Sequence, residues 1–311
     1  MRAPRRQRTL ERAVEMSGIG FFTNADVTIS FHPQAEGMGI SFQRTDLKST
    51  GPVQARIENV IRKERRTAIS QGGVTVELIE HVMAALAGLQ IDNCLVRLNA
   101  PEPPGCDGSS LDFVQCLLDG GIVEQNAYRD LIVVTQPQAI VTENDSVALS
   151  ASPISRHGLV ITYELDYGPR SPIKPQSFSL EVTPETFITL VAFARTFVAE
   201  EEVKYLQSQG YGQRVTEKDL LIFGPDGPIG NALRTRDECV RHKILDCIGD
   251  FALIGCDLHG HFRAFRTGHH HNHQIIERIK QTHEIIRAPE YVCFQPHFPL
   301  KDLPQEMALQ S

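Results

Sequence analysis

The 311-residue chain has no tryptophan, and aromatic residues make up only 7% of it. It lacks an apolar run near the ~18 residues of a membrane-spanning helix, and no apolar stretch follows its basic start. Neither a spanning segment nor a secretory signal is therefore expected. Acidic side chains outnumber basic ones by 38 to 31, which argues against a nucleic-acid partner. The composition is typical of a soluble globular protein long enough for two domains.

The seven cysteines are odd in number and show no C-x-x-C spacing. This usage is typical of reduced thiols and predicts a cytoplasmic protein. The sequence also lacks G-x-x-x-x-G-K-[ST], G-x-G-x-x-G, G-x-S-x-G and H-E-x-x-H. Nucleotide hydrolysis, the usual dinucleotide binding and serine hydrolysis are therefore disfavoured.

Hydrophobic periodicity predicts mixed α and β structure. Alternation over 26–33 indicates a strand, whereas apolar residues at helical spacing predict helices over 75–89 and 241–253. Gly88 stands near the end of the first helix, as a terminating glycine would.

Two segments of the chain resemble each other. HVMAALAGLQIDNCLVRL and HKILDCIGDFALIGCDLHGHFRAF each begin with a histidine, run through an amphipathic helix and continue into a strand. This internal symmetry predicts an α+β fold of two related domains, which we place at 1–127 and 128–311. His81 and His242 then occupy corresponding positions, and both imidazoles would point into one cleft if the two helices face each other.

The second helix carries a histidine and an aspartate at a spacing that suits a metal. His242 and Asp246 are four residues apart, so they share a helix face with Cβ atoms about 6 Å apart. Together with His81 they could supply the three protein ligands of a catalytic zinc. Glu80 could then act as a general base toward the attacking water. On that spacing alone a solvated pair on an exposed helix face is favoured, and the alternative for Glu80 is an exposed position on its helix.

Further polar residues continue this pattern. Asp250 extends the stripe of His242 and Asp246, either as the wet side of the helix or as a carboxylate that orients a histidine. Four histidines cluster farther along, at His269, His270, His271 and His273. Consecutive histidines diverge in direction, so at most two could bind one ion. His269, held at a strand end, is more economically explained as a single acid.

Several segments, in their order along the chain, closely resemble the UDP-3-O-acyl-N-acetylglucosamine deacetylase family. They are QRTLERAV, SGIGFFT, RTDL, IEHVMAALAGLQIDN, NAPEPPGCDGSSLDFV, ARTF, KYLQSQG, VRHKILDCIGD and TGH. The resemblance runs from about Gln7 to about Phe294. It implies two α+β domains whose helices are sandwiched between two outer β-sheets, with the active site at the domain junction.

The resemblance also implies roles for individual residues. The ligands of one zinc ion per chain would be His81, His242 and Asp246. Glu80 would be the general base and His269 the general acid, with Asp250 behind it. The residues that contact the substrate would be Thr196, which helps to hold the oxyanion, and Lys243 and Phe197, which line the site.

The implied reaction is zinc-dependent hydrolysis of the acetamide of UDP-3-O-(3-hydroxyacyl)-N-acetylglucosamine. It gives acetate and a free amine in lipid A biosynthesis. The expected partner is this small acylated nucleotide sugar. We expect a monomer with no stable membrane insertion and no nucleic acid.

The sequence departs from the family pattern in three places. Phe22 and Asn24 stand in a segment that usually contains a histidine. Gly212–Asp219, in the insert expected to pass the acyl chain, is unusually polar, and the histidine run after Gly268 is not a known family feature. Two alternatives therefore remain: a paralogous zinc deacetylase with another sugar-nucleotide or acyl preference, or a non-catalytic binding protein on the same fold. The retained set of acid, base and metal residues argues against the second alternative.

Overall fold

The computed structural model describes residues 5–48, 50–142, 146–155 and 158–287, so Cys293 and Phe294 lie outside the described residues. The helices in these ranges are α1 (Glu80–Gly88), α2 (Leu111–Asp119), α3 (Pro184–Leu190), α4 (Glu200–Ser208), α5 (Glu238–Phe251), α6 (His269–Thr282) and two short 3-10 turns, Ile57–Asn59 and Ala252–Ile254. The strands of the first half are β1 (Arg6–Leu10), β2 (Val14–Ile19), β3 (Asp26–Pro33), β4 (Ile40–Arg44), β5 (Val53–Gln54), β6 (Val60–Ile61), β7 (Ala68–Gln71), β8 (Val74–Glu77), β9 (Cys94–Leu98) and β10 (Ile122–Tyr128). Those of the second half are β11 (Leu131–Val133), β12 (Gln138–Val141), β13 (Ala148–Ser152), β14 (Leu159–Leu165), β15 (Gln176–Glu181), β16 (Phe197–Ala199), β17 (Leu221–Gly224), β18 (Gly227–Ile229) and β19 (Asp257–Phe265).

The two halves contain sheets of the same topology. The first sheet has the order β2-β3-β9-β4-β5 and the second the order β12-β13-β19-β14-β15. In each sheet the central strand runs parallel to one neighbour, β9 to β4 and β19 to β14, and the other pairings along these orders are antiparallel. The second sheet has a sixth strand, β11, which pairs in parallel with β19 outside this order. This agreement in order and direction fits the internal repeat seen in the sequence. The exact division between residues 127 and 128 stays a prediction.

Four helices lie between the two sheets. Helix α2 packs against β2 and α1, whereas α5 packs against β14 and β15, and α6 against β12 and β13. The two layers meet where α1 contacts α5. The arrangement confirms the predicted α+β sandwich of helices between outer sheets.

The predicted helix over 75–89 is wrong at its start. Thr75 and Val76 belong to β8, where they pair with Ser70 and Ile69 of β7. Val74 and Val76 are both buried, which is the period-two pattern of a strand. Leu78 then takes a positive φ of 56°, and the helix begins only at Glu80. It ends at Gly88, as predicted.

Helices α1 and α5 approach each other at a glycine. A Cβ atom built on Gly249 of α5 would collide with the backbone carbonyl of Glu80 in α1. This close approach is possible because glycine has no side chain. The backbone of α5 therefore supports the turn of α1 that carries Glu80 and His81.

We expect Gly249→Ala to push α1 and α5 apart. Overpacking of this kind typically costs about 1–3 kcal/mol in the free energy of unfolding, which urea denaturation would measure. Gly51→Ala is the matched control, because a Cβ there meets no atom within 4 Å. Equal stability of the two variants would contradict the close packing described here.

Candidate metal and catalytic site

Two histidines and one aspartate converge where α1 meets α5. One ligand atom from each of His81, His242 and Asp246 lies within 4.8 Å of the other two. These three residues are called the metal group below, because together they could hold a metal ion. Oδ1 of Asp246 is 3.7 Å from Nε2 of His81 and 3.4 Å from Nε2 of His242. His242 and Asp246 are buried, so the alternative of a solvated pair on an exposed helix face is wrong.

Both histidines are held ready to donate a lone pair. Nδ1 of His242 lies 3.0 Å from the carbonyl oxygen of Ala194, so it carries the proton and leaves Nε2 as the ligand atom. Burial, followed by the proximity of His242, lowers the pKa of His81 to about 3. Burial also lowers the pKa of His242. Neutral imidazoles are the form that binds metal.

Lys243 fixes the orientation of the aspartate. Its Nζ donates to Oδ2 of Asp246 at 2.6 Å, which leaves Oδ1 directed at the two histidines. Burial alone would raise the pKa of Asp246, but Lys243 and then His242 lower it well below its usual range. Asp246 is therefore ionised, which is the form that can bind a metal. Lys243 also lines the cavity, although its predicted contact with substrate stays a prediction.

Glu80 is buried, and it lines the same cavity as His81, His242 and Asp246. Its Oε2 accepts a hydrogen bond from the backbone N–H of Thr67 at 3.1 Å, and its Oε1 lies 3.8 Å from Nε2 of His269. Burial raises the pKa of Glu80 to about 7, although the charge of His269 opposes the rise. The alternative of an exposed Glu80 is therefore wrong.

His269 and Asp250 form a buried pair behind Glu80. Nδ1 of His269 donates to Oδ2 of Asp250 at 2.8 Å, so Nε2 faces Glu80. Burial alone would lower the pKa of His269, but Asp250 and then Glu80 raise it to about 9. Asp250 is fully buried, which excludes the wet-face alternative. His269 is also the first residue of α6, where we expected a strand end.

The structure brings three further residues to this pair. The hydroxyl of Thr67 donates to Oδ1 of Asp250, Nδ2 of Asn272 donates to Oδ2 at 2.8 Å, and Nε2 of His273 lies 3.4 Å from Oδ1. We had not assigned any of them a role. His273 is four residues after His269 on α6, so helical spacing would have revealed it. Thr67 and Asn272 carry no such signal.

A buried ion pair holds the loop that carries Thr196. Arg195 binds Glu238 of α5 through Nε at 2.8 Å and through its backbone N–H at 3.1 Å. The same loop supplies the Ala194 carbonyl that accepts from His242, and it places Thr196 in the cavity wall. The ring of Phe197 lies 6.0 Å from that of His242. Both predicted substrate contacts thus lie beside the metal group, and their roles stay predictions.

These residues line a cavity of about 610 Å³. One part of its lining is apolar and contains Val203 and Leu206 of α4, together with Phe21, Val215 and Leu220. Another part is basic, from Arg62, Lys63 and Arg65. The cavity therefore has an apolar part and a charged part, in which Glu64 and Glu202 accompany the three basic residues.

Comparison with known sequences shows the family to which the chain belongs. The family model described as LpxC, UDP-3-O-acyl N-acetylglycosamine deacetylase, matches residues 7–281. The chain is 35% identical to the UDP-3-O-acyl-N-acetylglucosamine deacetylase of Myxococcus xanthus over 291 residues, which covers 91% of this chain and 90% of the relative. It is 32% identical to the enzyme of the same name from Neisseria gonorrhoeae over 309 residues, with 98% and 99% covered. The chain belongs to this deacetylase family.

Two of the departures from the family pattern contact each other. Arg214 of the polar segment Gly212–Asp219 donates to the carbonyl oxygen of Asn24 at 3.0 Å and to Oδ1 of Asp26 at 2.8 Å. Nδ2 of Asn24 donates in return to the carbonyl oxygen of Gly210 at 3.2 Å. Arg214 therefore binds the first half of this deacetylase, whereas Gln213 and Thr216 bond within the second half and Val215 lines the cavity.

Phe22 takes part in the same contact. Its ring packs edge-on against Tyr211, with 5.6 Å between the ring centroids, and the Arg66 guanidinium lies 4.3 Å above it. An aromatic side chain thus occupies the place of the family's histidine.

Within the described residues, none of the helices has the length and apolar character needed to cross a membrane.

We expect Glu238→Ala to destabilise this deacetylase strongly. The change leaves Arg195 buried without its carboxylate, and breaking such a pair typically costs about 3–5 kcal/mol. Chemical denaturation would measure the loss, with the exposed Glu201→Ala as the control. A loss below about 1 kcal/mol would contradict an anchoring role for the pair.

Proposed function

We propose that this protein hydrolyses the acetamide of UDP-3-O-(3-hydroxyacyl)-N-acetylglucosamine, releasing acetate and a free amine in lipid A biosynthesis. The observation that carries the proposal is the convergence of His81, His242 and Asp246 beside Glu80 and His269, in a chain of this family. The reaction needs a base and an acid near one carbonyl carbon, and these side chains supply both.

We propose zinc as the cofactor, one ion per chain, held by His81, His242 and Asp246. Two imidazole nitrogens and one carboxylate oxygen are a donor set of catalytic zinc sites. The fit is supported by the Ala194 contact to His242 and the Lys243 contact to Asp246, which leave the ligand atoms facing one another. A bound zinc ion would supply Lewis acidity toward the acetamide carbonyl and would lower the pKa of the attacking water.

Glu80 would take the proton from the attacking water. A raised pKa near 7 suits a base that must accept a proton and later release it near neutral pH. The Thr67 N–H holds one carboxylate oxygen and leaves the other toward His269. Glu80 therefore has one oxygen fixed and one available for proton transfer.

His269 would protonate the departing sugar nitrogen. Asp250 fixes the proton on Nδ1 and raises the pKa, so the ring is a cation whose Nε2–H points into the site. Asp250 acts through His269 and does not reach the substrate in this proposal. Thr196 would stabilise the oxyanion, and such a donor is typically worth about 2.7–4 kcal/mol.

The two surfaces of the cavity suit the two ends of the substrate. The apolar lining from Val203, Leu206 and Val215 would hold the acyl chain. Arg62 and Lys63 supply positive charge for the diphosphate. Lys243 and Phe197 would line the sugar between these ends.

One observation favours a second candidate, a paralogous zinc deacetylase with another acyl or sugar-nucleotide preference. Phe22, Tyr211 and Arg214 together form a contact that the family pattern does not predict. This contact does not include the metal, base or acid residues, so it bears on the choice of substrate.

A monomeric state and a cytoplasmic location stay predictions.

The decisive test is acetate release from UDP-3-O-(3-hydroxyacyl)-N-acetylglucosamine by the zinc-loaded protein. Turnover that disappears with chelator and returns with zinc is expected. Absence of turnover in protein that holds one zinc would favour the paralogous deacetylase. Substrates with other acyl lengths would then be tested.

We expect His242→Ala to lose zinc and activity while the protein stays folded. The change removes one of three ligand atoms without breaking an ion pair to the core. Metal analysis after dialysis and circular dichroism would measure the two effects. His270→Ala is the control, because this exposed histidine of the cluster lies outside the metal group and should keep one zinc. Zinc retained by His242→Ala would refute the ligand assignment.

We expect Glu80→Gln to keep its zinc but to lose a factor of about 10²–10⁴ in kcat, the usual contribution of a general base. Glutamine preserves the shape of the side chain but cannot accept the proton. Steady-state kinetics on zinc-loaded protein would measure the loss, and the exposed Glu185→Gln should leave kcat unchanged. Wild-type turnover in Glu80→Gln would remove the base role.

A further inference from the structure

A second cavity lies at the junction of the two halves. It has a volume of about 510 Å³, and no described residue that lines it also lines the cavity of the metal group. Leu86 of α1 and Phe251 of α5 form part of its apolar lining, together with Ile40 and Leu159 at the starts of β4 and β14. Both halves of the protein therefore contribute to the walls.

Two aspartates at corresponding points of the internal repeat face this cavity. Asp92 follows α1 and Asp257 begins β19, and Arg5 binds both carboxylates at 2.7 Å. Arg129 lies between the same two carboxylates, 3.0 Å from Asp92 and 3.4 Å from Asp257. Two arginines and two aspartates thus neutralise one another.

Arg56 faces the same cavity without such a partner. Among the described residues, no carboxylate lies within ion-pair distance of its guanidinium. The guanidinium lies against Gly255, where a side chain on that residue would collide with it, and 3.2 Å from the position of a Cβ on Gly39. Burial, followed by the charge of Arg129, lowers the pKa of Arg56. Arginine nevertheless stays protonated, so a half-buried positive charge faces the cavity.

The lining of this cavity contains four arginines and three carboxylates among the described residues. Arg8 has longer contacts than Arg5, at 3.4 Å to Gln90 and 3.4 Å to Glu124. Glu181 is the one further carboxylate of the described lining. Outside the lining, Glu124 pairs with Arg8, and Glu58 and Asp130 act on Arg56 at longer range. The attraction for an anion therefore comes from the guanidinium of Arg56, unpaired among the described residues, and not from a net positive charge.

A guanidinium fork binds phosphate oxygens in pairs, and an anion there would offset the cost of burying Arg56. A cavity of about 510 Å³ is much larger than one phosphate ion needs, and its size is typical of small-molecule sites. Its apolar lining suits an organic body attached to the phosphate. We propose that the cavity between the two halves binds a small phosphate-bearing anion, with Arg56 holding the phosphate. This site does not depend on the reaction proposed above.

Calorimetric titration of the full-length, zinc-loaded protein in phosphate-free buffer tests the site. The two probes are inorganic phosphate and phenyl phosphate, which adds an apolar ring to the same group. We expect phenyl phosphate to bind and Arg56→Ala to weaken it on the order of 10-fold or more, as loss of a charged hydrogen-bonding group does. Arg62→Ala tests whether the probe binds in the other cavity, which Arg62 lines. Arg170→Ala is the matched control, because this exposed arginine lines neither cavity. It should bind phenyl phosphate as the unchanged protein does.

The outcomes separate the two sources of phosphate. Tighter binding of phenyl phosphate than of inorganic phosphate supports an ester, whereas equal binding that depends on Arg56 supports free phosphate. No binding of either probe below about 10 mM, or loss of binding in Arg62→Ala instead of Arg56→Ala, would overturn the proposal. If Arg56→Ala melts early, Arg56→Lys replaces it, because a single ammonium cannot bridge two phosphate oxygens.

Discussion

The packing of α1 against α5 is the contact on which the candidate site depends. Each helix supplies part of the metal group: His81 comes from α1, and His242 and Asp246 come from α5. Because Gly249 has no side chain, the backbone of α5 can lie against the backbone of α1 at Glu80. The candidate ligand atoms then lie within 4.8 Å of one another, although His81 precedes His242 by 161 positions in the sequence. Neither half contains all of these residues, so the candidate site forms only when the two layers pack together.

Burial gives the groups around this contact their distinct protonation states. Glu80 and Asp250 are both fully enclosed carboxylates, yet their pKa values move in opposite directions. Burial dominates at Glu80 and raises its pKa, whereas His269 and His273 overcome burial at Asp250 and lower its pKa below the usual range. One carboxylate can therefore accept a proton near neutral pH, while the other stays ionised and keeps His269 charged. Thr67 contacts both carboxylates, through its N–H and its hydroxyl, and so holds the two at a fixed separation.

The sequence revealed those parts of the site that follow a helical period or the internal repeat. His242 and Asp246 are four residues apart, and the repeat placed His81 opposite His242, so the metal group could be predicted without a structure. The Ala194 carbonyl and Thr67 could not be predicted, because each reaches the site through a long-range contact that no spacing encodes. The start of α1 was misassigned because Val76 and Ile79 fit a helical period, while pairing with β7 fixes the first of them in a strand. In the fold, the parallel pairings of β9 with β4 and β19 with β14 are also long-range features that periodicity cannot supply.

The internal repeat joins the two halves by different chemistry at two places. At one, histidines and a carboxylate from corresponding helices face one another. At the other, the like-charged aspartates Asp92 and Asp257 are brought together, and this is favourable only because Arg5 and Arg129 lie between them. The same two helices thus border both places: α1 carries His81 and also Leu86, and α5 carries Asp246 and also Phe251. Since a helix rises about 1.5 Å per residue, the two linings are separated by little more than one or two turns.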